Sequence, residues 1–196
     1  MSARHPASRS RAAFAAILGA LVVAACTGEG GDAGETSAEP SSESLATLIT
    51  GANDLTVVSG TLTDAGLVQV FDGVAAYTVL APQDAAFERL GEAGKALRAP
   101  EQRAALVAAL RDHIVPGYLT PEDIAKAVEL DEDGRVAMRT MAGRTLTFAN
   151  TDGAITATGE DGVTVRFAGE PLFARNGVAI PVDGLVVDVG GAPAAR

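Results

Sequence analysis

The chain has 196 residues, 47% of them hydrophobic, and a formal charge of −10. That acidic balance excludes nucleic acid as a partner, because phosphate contacts need clustered Lys and Arg, and it equally disfavours docking on anionic lipid headgroups. With one cysteine and two histidines in the whole chain, no disulfide framework, zinc cluster or Cys/His or Ser/His catalytic set can be assembled from the usual parts, and no cofactor is expected.

Residues 1–25 read as a processing signal. Arg4, Arg9 and Arg11 make a basic start, and Ala12 to Ala25 make a fourteen-residue apolar core. Such a core is too short to cross a hydrocarbon layer, which needs roughly 20 residues. The run VAAC, Val23 to Cys26, resembles a bacterial lipobox, so Cys26 is expected to carry a diacylglyceryl group; the alternative is an ordinary secretory signal with an incidental cysteine. Acyl chains at about 0.8 kcal/mol per buried methylene would make that anchor effectively permanent. The expected location is therefore extracytoplasmic, on the bacterial cell envelope, at the outer membrane or periplasm or at the cell surface. Loss of the three signal arginines takes the charge from −10 to −13.

Residues 26–44 comprise the modified cysteine and a stretch rich in Gly, Ser, Glu and Pro that cannot bury enough apolar surface to offset its chain entropy. It reads as a disordered tether, holding the folded part about 20–25 Å from the membrane on average. Residues 45–190 form the domain, large enough to be held by its core alone, and 191–196 a flexible tail.

Within the domain, Leu45, Leu48 and Ile49, then Leu55, Val58, Leu62 and Leu67, predict two short helices broken at Gly51 and Gly66. Tyr77 to Leu90 predicts a strand ended by Pro82, then a helix with Asp84 accepting from its free N–H groups and Phe87 and Leu90 on one face. Leu106, Leu110 and Ile114 form a helical stripe after Pro100, and Thr120-Pro121-Glu122-Asp123 starts another helix with Ile124 and Val128 inward. The period then changes. RVAMRT, TLTFA, AITAT and VTVRF alternate between Gly-containing turns and predict a meander, and NGVAIPVDGLVVDV predicts two strands hinged at Asp183-Gly184, with Pro181 at an edge or bulge.

YTVLAPQDAAFERL, HIVPGYLT and NGVAIPVDGLVV, in that order over about Leu45 to Val189, resemble the fasciclin domain, a family of extracellular adhesion and interaction modules. Thr78, Ala81, Pro82, Ala86 and Phe87 stand in the places of the first motif, with Gln83 where Thr or Ser is usual, so that the cap role falls to Asp84. Asp112 precedes His113 where the family has tyrosine. Asn176, Gly177, Val178 and Asp183 match the last motif, while Ile180 replaces a histidine. The resemblance implies an α+β fasciclin-like fold, short helices covering a small twisted sheet or wedge-shaped sandwich. It also implies a non-catalytic module for adhesion or for a protein or polysaccharide partner, self-association included, without naming a receptor. A second reading is a carrier or sensor of a small hydrophobic ligand.

Four features remain as candidate contacts. His113 is either a polar contact for a partner or a hydrogen-bonded histidine at a helix end, its cationic form favoured by the helix dipole. Asn176, Gly177, Val178 and Asp183 are structural first, the Asn-Gly pair suiting positive φ in a tight turn, and a contact surface second. Glu129 to Gly134 places acids at EF-hand spacing but has Thr140 where a bidentate carboxylate is needed, so a solvated turn is expected and no metal site. GEDG at 159–162 reads as a hairpin turn.

Overall fold

The computed structural model describes residues 40–190. The expected signal, Cys26, most of the tether and the 191–196 tail lie outside the described residues. The tether's last residues are not free: Ser41 N–H donates to the Phe173 carbonyl (2.8 Å), Arg175 N–H donates to the Glu43 carbonyl (3.0 Å), and Ser44 is buried as the N-cap of the first helix. The folded body thus extends back at least to 41 rather than starting at 45, because these residues cover an otherwise open strand edge.

Three short helices open the domain rather than two: α1 (Leu45–Gly51), α2 (Thr56–Asp64) and α3 (Val68–Asp72), with Gly66 at φ 67° making the last break. Strand β1 (Tyr77–Pro82) leads into α4 (Asp84–Arg89) and α5 (Glu92–Leu97). A 3-10 turn at Pro100–Gln102 starts α6 (Arg103–Arg111), which buries Leu106, Ala109 and Leu110. Ile114 is not on that helix. The helix is capped at Asp112, and Ile114 opens β2 (Ile114–Pro116), still facing the core. Helix α7 (Pro121–Leu130) has the expected start: Thr120 and Asp123 form a reciprocal capping box, and Ile124 and Val128 are buried.

The second half supplies β3 (Arg135–Arg139), β4 (Thr145–Thr151), β5 (Ala154–Thr158) and β6 (Thr164–Arg166), paired in chain order as an antiparallel meander. The β4–β5 turn is a two-residue loop with Asp152 and Gly153 both at positive φ, as the sequence NTDG requires. Strands β7 (Leu172–Ala174) and β8 (Gly177–Val182) complete a second sheet of order β2-β1-β8-β7. Here β1 and β8 run parallel, Tyr77 beside Gly177 through Pro82 beside Val182, and every residue of β8 is buried, as suits a strand covered on both faces. Helix α1 packs on β7 and β8, and α7 on β3 and β4. The fold is α+β, short helices over two small sheets joined where Phe167 bridges Val182.

The segment after β8 departs from expectation. Leu185 to Val187 do not form a strand, because both sides of β8 are taken: β1 lies along one, and β7 and the Ala168 N–H, which donates to the Pro181 carbonyl (2.8 Å), occupy the other. They run instead as an irregular strap with all three side chains buried. Pro181 sits past the end of β7, beside Ala168, so its missing N–H interrupts no bond of the β7–β8 ladder.

Candidate functional site

The motif residues converge on the β2-β1-β8-β7 sheet, and the polar ones are fixed by bonds to residues far away in the chain. The Thr78 hydroxyl donates to the Gly117 carbonyl and accepts from Leu119 N–H, both at 2.9 Å, pinning the loop between β2 and α7. Asp84 does not cap its own helix. Its N–H donates to the Asp54 carbonyl, and its carboxylate accepts from Thr56 N–H (3.2 Å), Thr56 Oγ1 (2.6 Å) and Val57 N–H (2.9 Å). Helix α2 starts at Leu55–Thr56 with no cap of its own, so Asp84 supplies one from elsewhere in the chain. Ala81 and Phe87 are fully buried, and Pro82 ends β1 where the β2 pairing has already stopped.

His113 is wholly buried, 0% exposed, and both ring nitrogens are used. The backbone N–H of Val186 donates to Nε2 (3.0 Å), which leaves the single imidazole proton on Nδ1, facing the Ala109 carbonyl (2.9 Å). Burial lowers its pKa to about 4. The helix-end position is as expected, but the ring is neutral: desolvation outweighs the helix dipole, and a proton on Nε2 would confront the Val186 N–H.

Asn176 and Gly177 are buried, and neither has positive φ; the two-residue turn falls at Arg175–Asn176 instead. Their residue types have other causes. Asn176 Oδ1 accepts from Leu45 N–H (2.9 Å), and its Nδ2 donates to the carbonyls of Phe71 and Gly73, each at 2.7 Å. A Cβ on Gly177 would lie 2.2 Å from the Tyr77 carbonyl oxygen. Asp183 closes the edge strand β6: its carboxylate accepts from Arg166 N–H (2.7 Å), and its own N–H donates to the Arg166 carbonyl (3.1 Å). With His113, Asn176, Gly177 and Val178 interior and their polar atoms satisfied, none offers a side chain to a partner; they shape the body that carries the surface.

A polar cluster lies beside the strap. Arg144 reaches Asp112 (3.8 Å), Glu160 (3.5 Å) and Asp161 (2.6 Å), tying the end of α6 to the β3–β4 and β5–β6 turns. Burial raises the pKa of Asp112 against the pull of Arg144; a bond from the Thr145 N–H lowers that of Glu160, and the Arg144 hydrogen bond lowers that of Asp161. The depression lined by Asp112, Thr140, Arg144, Glu160, Val186 and Val187 has no interior volume for a ligand. No pattern in the sequence hints at this grouping, since its members come from three separate turns.

At the acidic turn, the Asp131 carboxylate accepts from Asp133 and Arg135 N–H (3.0 and 3.2 Å), and β3 follows where an EF-hand would place its second helix. Among the described residues, the large hydrophobic side chains that face water are Val70 (37% exposed), Val74 (99%) and Leu130 (75%). Val74 was legible in principle: a loop reading Gly-Val-Ala-Ala, without a polar residue, is unusual between a helix and a strand.

A search of curated proteins finds no match. Among solved structures, the chain is similar to a domain pair from the insect cell adhesion molecule Fasciclin I, described as a novel fold of FAS1 domains, with 13% identity and a TM-score of 0.64. The likeness covers 74% of this chain and 51% of that one, so the chain spans about half the length of that relative. The family model described as Fasciclin domain matches residues 53–188. That match takes in β1, the buried His113 and the Asn176–Asp183 motif, and with it the chain belongs to the Fasciclin domain family.

Proposed function

We propose that this protein is a non-catalytic lipoprotein of the bacterial cell envelope. Its single fasciclin-like domain, anchored through Cys26, mediates adhesion by binding a protein or polysaccharide outside the cytoplasm. The family match over 53–188 carries this reading, with support from a solved relative that is itself a cell adhesion molecule. The placement of the lone cysteine at the end of an apolar core supports the anchor. A partner would be met by the outer surface, since the motif side chains are committed to internal bonds.

Crosslinking of the lipidated protein on intact cells tests the adhesive reading. Capture of a specific envelope or neighbouring-cell component is the expected result. Recovery of uncrosslinked protein alone, under conditions that capture a control adhesin's partner, would contradict it.

A further inference from the structure

Among the described residues, the chain makes its first fixed contacts at Ser41 and Glu43, along the outer edge of β7. The next two residues after β7 stitch this arrival point to the corner between α3 and β1. Arg175 donates through its N–H to the Glu43 carbonyl (3.0 Å) and through Nη2 to the Asp72 carbonyl (3.0 Å), while Asn176 bonds Leu45 on one side and Phe71 and Gly73 on the other. That corner carries Val74, 99% exposed, with Val70 and Ala75 also exposed. A β-branched apolar residue held wholly in water beside the arriving chain has no packing role.

We propose that the α3–β1 corner, with Val74 at its tip, is a contact with the lipid surface that holds the anchor. This rests on the Cys26 reading. Fourteen residues, 27–40, separate that cysteine from the first fixed contact. If this stretch is the disordered tether its composition leads one to expect, it would span about 20 Å on average and keep the corner at a local concentration on the order of millimolar or more at the membrane, so that even a weak apolar contact is populated. The corner's charges are Asp72 and Glu43 against Arg175, which suits zwitterionic headgroups rather than anionic ones. Burial of Val74, Val70 and Ala75 in the headgroup boundary supplies the attraction. The tether then sets orientation as well as clearance, because it arrives on the side of the domain that faces the bilayer.

The chain has no tryptophan, so Val74→Trp in the full lipidated protein gives a single probe at a site where the native side chain touches nothing. In phosphatidylcholine vesicles its emission is expected to shift to the blue and to be quenched about two-fold by nitroxide-labelled lipid, as for a side chain at the headgroup boundary. Ala75→Trp should follow it, and Leu130→Trp, exposed at the end of α7, should stay unquenched. Vesicle flotation without quenching at either corner position, equal quenching at Leu130→Trp, or a blue shift that appears without vesicles as protein concentration rises would overturn the proposal. A chain that fails to float with vesicles overturns the anchor reading, and this contact with it.

Discussion

The two sheets use similar residues and reach order by different routes. In the β3–β6 meander each strand pairs with the next, and its turns are specified within a few residues: Asp152-Gly153 at positive φ, Gly143 and Gly162 likewise. In the other sheet, β1 lies parallel to β8, Tyr77 against Gly177, and no turn chemistry can set such a pairing. There the register is held by polar side chains with distant partners: buried Asn176 with Leu45, Phe71 and Gly73, buried Thr78 with Leu119, buried His113 with Val186, and half-buried Asp84 with Thr56 and Val57. A locally closed sheet tolerates the loss of one side chain. A sheet closed across the chain depends on each of them.

The contrast is sharpest at two asparagines. Asn176→Ala strands a buried donor, a buried acceptor and a part-buried acceptor and should cost about 3 kcal/mol in urea unfolding. Asn150→Ala, which removes one exposed bond to Gly153 N–H, should cost under about 1 kcal/mol. Equal costs would break the comparison.

His113 gives the next effect. Its folded pKa of about 4 lies below the ordinary 6.5, so between those values the unfolded chain takes up a proton that the folded one refuses. Stability is therefore full above pH 6.5 and declines as pH falls towards 4, by about 3 kcal/mol. Asp112, whose pKa is raised by burial, acts in the opposite sense and moderates the slope. His113→Gln should flatten the profile over this window in a pH series of urea midpoints, whereas an unchanged slope would show that other groups set it.

Asp84→Ala uncaps α2 and should cost about 1–2 kcal/mol, with hydrogen exchange rising at Thr56 and Val57. The smallest effect belongs to the meander. Asp152→Ala places a methyl side chain at φ 53° and should cost about 1 kcal/mol, with the rest of the molecule unperturbed in exchange.

The same division decides how much of the molecule is legible in its sequence. The meander, the helix start at Thr120-Pro121 and the α+β class follow from local pattern, and the fasciclin resemblance locates the motif residues. The roles of those residues do not follow. Asp84 reads as the cap of the helix it begins, yet it caps α2, which lies earlier in the chain. Asn176-Gly177 reads as a turn with positive φ, yet it is a three-way bond beside a close backbone approach. The strand pattern at Leu185 to Val187 is real as burial but finds no open edge to pair with. In each case the deciding partner lies elsewhere in the chain, beyond the reach of local pattern.

The central proposal is that lipid on Cys26 holds the fasciclin-type body outside the cytoplasm. Cys26→Ser in the full-length protein, followed by membrane fractionation and urea unfolding, addresses it directly. The account predicts transfer of the protein from the membrane to the soluble fraction with an unchanged unfolding midpoint. A variant that stays with the membrane would contradict it.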